Sequence, residues 1–84
     1  MQSISEEKVK KIIESAFQPY RCVAEIWDYG QKIRFKVFDK KGNGIFERRR
    51  IILREVSDKK RLEKFLMAIR NEIEKQEIKL DPWP

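Results

Sequence analysis

The sequence predicts a small α+β domain of order α-β-β-β-α, a three-stranded antiparallel meander with both helices packed on one face. Three observations carry that prediction. A segment near each end places apolar residues at helical spacing. The residues between them alternate apolar with charged side chains, as strands half-covered by a core do. All three glycines, Gly30, Gly42 and Gly44, fall in the two short breaks of that alternation. A chain of 84 residues has room for one modest core, and 40% hydrophobic beside 40% charged residues suits a compact fold with a densely charged exterior. Residues 1–77 are read as this single domain and 78–84 as a short Pro/Trp tail.

The first helix is expected over Ser5 to Phe17. Val9, Ile12, Ile13, Ala16 and Phe17 follow the i, i+3, i+4, i+7, i+8 pattern. Ser5 is a good N-cap, Glu6 and Glu7 occupy the first turn where the helix dipole favours acids, and Ile4 with Val9 can form a hydrophobic staple. Pro19 ends the helix near Gln18.

Tyr20 to Tyr29 alternates next, with Tyr20, Cys22, Ala24 and Ile26 on one side and Arg21, Val23, Glu25 and Trp27 on the other. Asp28-Tyr29-Gly30-Gln31 reads as a tight hairpin turn in which Gly30 supplies the positive φ. Lys32 to Phe38 is a cleaner strand, with Ile33, Phe35 and Val37 inward and Lys32, Arg34, Lys36 and Phe38 outward. Asp39 to Gly44 is a second turn. Ile45 to Val56 is a third strand whose two alternating sets are both mixed, which points to a bulge near Arg48 to Arg50; Ile51 and Leu53 are taken as inward. Its arginines also suit an edge strand that must not pair with other chains. The second helix is expected over Ser57 to Gln76, capped by Ser57 or Asp58, with Leu62, Phe65, Leu66, Ile69 and Ile73 as its apolar stripe and Arg70 among the solvated positions.

Two helices on one face leave the other sheet face open. By alternation it carries Arg21, Lys32, Arg34, Lys36, Arg48, Arg50 and Arg54, with Trp27 and Phe38 among them and Glu25 as the only clear acid. Basic side chains neutralise phosphates and aromatic faces stack on unpaired bases, the pairing that single-stranded recognition on a sheet requires. The whole chain has 20 Lys and Arg against 14 acids, a net charge of +6 and a pI near 9.6, which favours anionic partners. The expected function is therefore a non-catalytic domain binding RNA or single-stranded nucleic acid. The alternative is a protein-interaction module, a small regulator or inhibitor of an acidic protein, or a homodimer, using the same face. The bland reading of that face is solvated charge with Trp27 and Phe38 paired across strands for stability. Lys59, Lys60, Arg61 and Lys64 at the second helix start form a secondary basic cluster where a phosphate can bind.

Catalysis, cofactors and metals have little support. There is no histidine and only one cysteine, Cys22, which is read as a small buried hydrophobe. Asp39 to Gly44 has a faint likeness to a calcium loop, but Lys41 and Arg50 occupy positions that need oxygen ligands. With no internal disulfide, no signal-peptide pattern and only short apolar runs, the chain is expected to be cytoplasmic, with no membrane partner. Trp83 between Pro82 and Pro84 is either a linear motif for a partner's groove or a plug for the chain's own core.

Ala16-Phe17 with Pro19-Tyr20, an alternating strand ending at Asp39 with a glycine after it, and Arg49 or Arg50 before Ile51 form one pattern. With Asp58, Arg61-Leu62, Ile69-Arg70 and Glu72-Ile73, it resembles a family of short pseudomonad proteins known only as a domain of unknown function. The resemblance runs from about Ile13 to Ile73 and implies a fold and a bacterial cytoplasmic setting, without an activity. A second set, Lys36-Val37 with Asp39 and Lys59-Lys60 with Glu63-Lys64-Phe65, is similar to the smallest subunit of the signal-recognition-particle Alu domain. That likeness, in the same α-β-β-β-α order, implies RNA binding through the sheet face.

Overall fold

A computed structural model describes residues 4–83. Met1 to Ser3 and Pro84 lie outside the described residues, and so do the expected limits at 1 and 84. The order is α1 (Glu6–Ser15), β1 (Arg21–Trp27), β2 (Lys32–Phe38), β3 (Gly44–Ile52), a 3-10 turn (Leu53–Val56) and α2 (Lys59–Glu74). The strands form one antiparallel sheet in the order β1-β2-β3. This is the α-β-β-β-α meander expected from the pattern.

Local chemistry sets each boundary. Ser5 caps α1, its hydroxyl accepting the Lys8 N–H at 3.3 Å. Asp58 caps α2 through the Arg61 N–H at 3.1 Å, while Ser57 donates instead to the Leu53 carbonyl at 2.7 Å. Ser57 is therefore consumed by the 3-10 turn and is not the cap. That turn is the main departure in the central region: β3 stops at Ile52, and Leu53 and Val56 reach the core from a tight turn rather than from an extended strand.

Both helices lie against one side of the sheet. Val9 and Ile13 of α1 and Leu62, Leu66, Ile69 and Ile73 of α2 share a single buried cluster with Cys22, Ala24, Ile33, Phe35, Val37 and Ile51. Phe35 sits at its centre, stacked 5.4 Å from Phe17 and 6.1 Å from Phe46. The outer edge of β1 is closed by α1: the Glu14 carboxylate accepts the Ala24 N–H at 3.0 Å. β3 forms the other edge of the sheet and carries Arg48, Arg49 and Arg50.

Arg70 is not a solvated position. It is 6% exposed and donates to the Ala16 carbonyl at 2.5 Å and the Asp81 carbonyl at 2.6 Å. The reason is geometric: Arg70 follows Ile69 on the flank of the stripe, where the chain beyond α2 passes back over the end of α1. Asp81 N–H donates to the Gln18 carbonyl, Trp83 Nε1 donates to the Ser15 hydroxyl, and Leu80 enters the core. Of the two expectations for Trp83, the described tail takes the second and folds onto its own domain. No helix among the described residues is long and apolar enough to cross a membrane.

Candidate nucleic-acid interface

Strand register decides what the open face displays. Trp27 pairs with Lys32 and Lys32 with Ile52 at one end of the sheet. Glu25 pairs with Arg34 in the next outward row, and Val23 with Lys36 and Glu47 in the one after. Arg21, Phe38 and Gly44 make the last row. Seven of the expected residues, Arg21, Trp27, Lys32, Arg34, Lys36, Phe38 and Arg50, belong to this face.

Its two aromatics are each flanked by two cations. The Lys32 ammonium and the Arg34 guanidinium lie 5.1 and 5.6 Å from the Trp27 ring centroid. Arg21 and Lys36 stand 5.7 and 5.5 Å from the Phe38 ring. Trp27 also reaches across β2, its indole N–H donating to the Arg49 carbonyl at 3.3 Å. Gly44 leaves room for this arrangement: a Cβ there would stand 2.5 Å from Lys36 Cε, where the lysine stem crosses the strand. Cation–aromatic contacts at exposed sites are worth about 0.5–1 kcal/mol each. Stacking a base on an aromatic side chain is worth about 1–3 kcal/mol. The two cation contacts on each ring are together comparable with one stacked base, so they do not bar a flat ligand from either ring.

The charges are partly paired. Arg34 binds the Glu25 carboxylate through two guanidinium nitrogens, Lys32 lies 3.4 Å from Asp28 and Arg49 3.1 Å from Glu47. Among the described residues, Arg21, Lys36 and Arg50 have no acidic partner.

Arg48 does not belong to this face. The expected bulge is present: Ile33 pairs with Ile51 and Phe35 with Arg48, so Arg49 and Arg50 together oppose the single residue Arg34. The extra residue reverses the parity of Phe46 to Arg48, and a second irregularity at Ile45 restores it, so Gly44 again pairs with Phe38. Arg48 and Phe46 thus fall on the covered side, where Arg48 meets Glu72 of α2 at 3.5 Å and lies 5.4 Å from the Phe46 ring. Glu47 and Arg49 turn outward in their place, so Glu25 is not the only acid on the face. Arg54, expected on the sheet, sits in the 3-10 turn and lines a cleft with Glu6, Gln31 and Lys32. A mixed pattern in β3 signalled the bulge but not which residues lay on either side of it.

The secondary cluster is present as an exposed group on α2, with Lys59, Lys60, Arg61 and Lys64 around the capped helix start. It rides on the helix that covers the opposite side of the sheet, apart from Trp27 and Phe38. Cys22 is 8% exposed, and burial, with the Glu14 carboxylate second, pushes its thiol up to about 12. A thiol so protonated is a poor nucleophile at neutral pH. The Asp39 carboxylate holds its own turn, accepting the Asn43 N–H at 2.8 Å and the Lys41 N–H at 2.9 Å. Those amides, Asn43 first, hold its pKa below the usual carboxylate range.

No protein-family model, no curated protein and no solved structure matches the chain. Both resemblances noted above therefore rest on the quoted residues alone.

Proposed function

We propose that this chain is a non-catalytic domain that binds RNA or other single-stranded nucleic acid across the open sheet face. The observation that carries the reading is the pair of aromatic–cation groups, Trp27 with Lys32 and Arg34, and Phe38 with Arg21 and Lys36. Each offers a stacking surface beside charges for the flanking phosphates. Arg50 adds a further cation at the β3 edge. No cofactor or metal enters this reading, and it fits a cytoplasmic setting.

Fluorescence anisotropy with labelled single-stranded RNA, duplex RNA and duplex DNA across a salt series tests it. Four to six neutralised phosphates correspond to a fall in affinity of about 0.7–0.9 log units per contact for each tenfold rise in salt. Tight binding of the single strand with that slope is the expected result. Flat traces at low salt would remove nucleic acid from consideration.

A second reading has its own observation. Val23 and Ile52, 39% and 42% exposed, lie on the same face and suit an apolar contact. The same face would then be an apolar protein interface, with a partner protein or a second copy of this chain. Salt-insensitive association, or a concentration-dependent dimer in sedimentation, would distinguish it.

A further inference from the structure

Beyond Trp27 the open face runs into a cleft of about 580 Å³ between the start of α1, the β1–β2 turn and the 3-10 turn. That volume is ample for a small ligand. Its walls include Glu6, Gln31, Lys32, Ile52 and Arg54. Lys32 belongs to both surfaces, since its ammonium also lies 5.1 Å from the Trp27 ring centroid. Lys32 is already close to Asp28, whereas Arg54 has no acidic partner among the described residues. Ile52, 42% exposed, supplies an apolar surface beside these charges. A nucleotide matches this set: an anion for Arg54 and Lys32, a ring face for Ile52, and hydroxyl or amino donors for the Glu6 carboxylate.

The turn beside the cleft adds an independent observation. Gln31 N–H donates to the Asp28 carbonyl at 3.0 Å, which makes Tyr29 and Gly30 the central pair of the turn. Both have positive φ, 55° and 80°, the signs a type I′ turn needs at its centre, and Asp28 before them is also positive at 56°; Asn-Gly is the central pair that meets this demand at least cost. A bulky tyrosine in left-handed backbone is an outlier. Its side chain is fully exposed, so packing within the domain contributes nothing to offset the strain. The chain thus holds an aromatic ring in solvent, at a disfavoured position, one residue from Gly30 in the cleft wall.

We propose that this cleft seats one nucleotide of the strand bound across the sheet, with Arg54 and Lys32 on its phosphate and Tyr29 stacked on its base. The proposal rests on the nucleic-acid reading of the open face and extends the footprint past Trp27.

Tyr29→Asn and Arg54→Ala, compared with the wild-type chain and with Lys36→Glu on the sheet, test it by melting temperature and by affinity for a labelled single-stranded RNA. Tyr29→Asn should keep or raise the melting temperature, because it creates the Asn-Gly pair, while weakening binding by about 5- to 150-fold, the loss of one stacked base. Arg54→Ala should lower the salt slope by about one contact. Unchanged affinity and slope in both variants, with binding lost in Lys36→Glu, would overturn the cleft and leave the sheet face standing. A wild-type chain that binds no RNA would overturn both. A lower melting temperature in Tyr29→Asn would contradict the strain argument on which Tyr29 was chosen.

Discussion

The two faces of the sheet are built from the same strands and held in place by different physics. On the covered face Phe35, Ile33 and Val37 are locked among α1 and α2, and each fully buried side chain contributes about 1.5–3 kcal/mol. On the open face the side chains are held by contacts along and between strands: Trp27 by Lys32 and Arg34, Phe38 by Arg21 and Lys36, Arg34 by Glu25. Exposed cation–aromatic contacts are worth about 0.5–1 kcal/mol and exposed ion pairs about 0–1 kcal/mol. One face fixes the fold and resists change; the other can rearrange around a ligand with little loss of stability. A surface that exchanges internal contacts for ligand contacts needs that difference.

Stability and binding should therefore separate by face. Phe35→Ala removes the ring between Phe17 and Phe46 and should cost about 3–5 kcal/mol, read from the urea midpoint. RNA affinity of the fraction that remains folded should not change. Arg70→Met strips the Ala16 and Asp81 carbonyls of a donor and should cost about 1–3 kcal/mol. In the same variant Trp83 fluorescence should report a loosened tail before global unfolding. On the open face the order reverses: the double variant Arg34→Glu, Lys36→Glu should change stability by no more than about 1 kcal/mol yet abolish RNA binding. Retained affinity in that variant would count heavily against the proposed function.

The smallest effect concerns pH. The Asp39 carboxyl titrates below its ordinary range in the folded chain, so its contribution is fully present above the ordinary carboxylate pKa. It is lost as pH falls through the lowered folded value. Asp39→Asn should therefore flatten the acid limb of the stability curve in urea titrations and leave the neutral region with a smaller, pH-independent loss. An unaltered acid limb would mean that the two amide contacts do not persist in solution.

The fold was legible because its signals were local. Helical spacing in α1 and α2, alternation in β1 and β2, and glycines in the turns each pointed to the same meander. The candidate site was legible where parity was unbroken, which is why Arg21, Trp27, Lys32, Arg34, Lys36 and Phe38 lie where alternation puts them. It failed upstream of the bulge, because composition reveals that a residue has been inserted but not its position. Arg48 passed to the covered side and Glu47 with Arg49 replaced it on the open one. Arg70 departs from the sequence pattern for another reason. It is buried by a tail whose path over the end of α1 is a tertiary matter that helical spacing does not encode.

The most direct test of the central claim is a titration of the ¹⁵N-labelled chain with a short single-stranded RNA, followed by NMR through its two indole N–H resonances. Trp27 lies on the open face and Trp83 packs against Ser15 at the far end of α1. Binding across the open face should shift the Trp27 resonance, with the amides of Arg21, Lys32, Arg34 and Lys36, while Trp83 and the outer residues of α2 stay in place. Shifts centred on Lys59, Lys60 and Lys64 with Trp27 unmoved would contradict it.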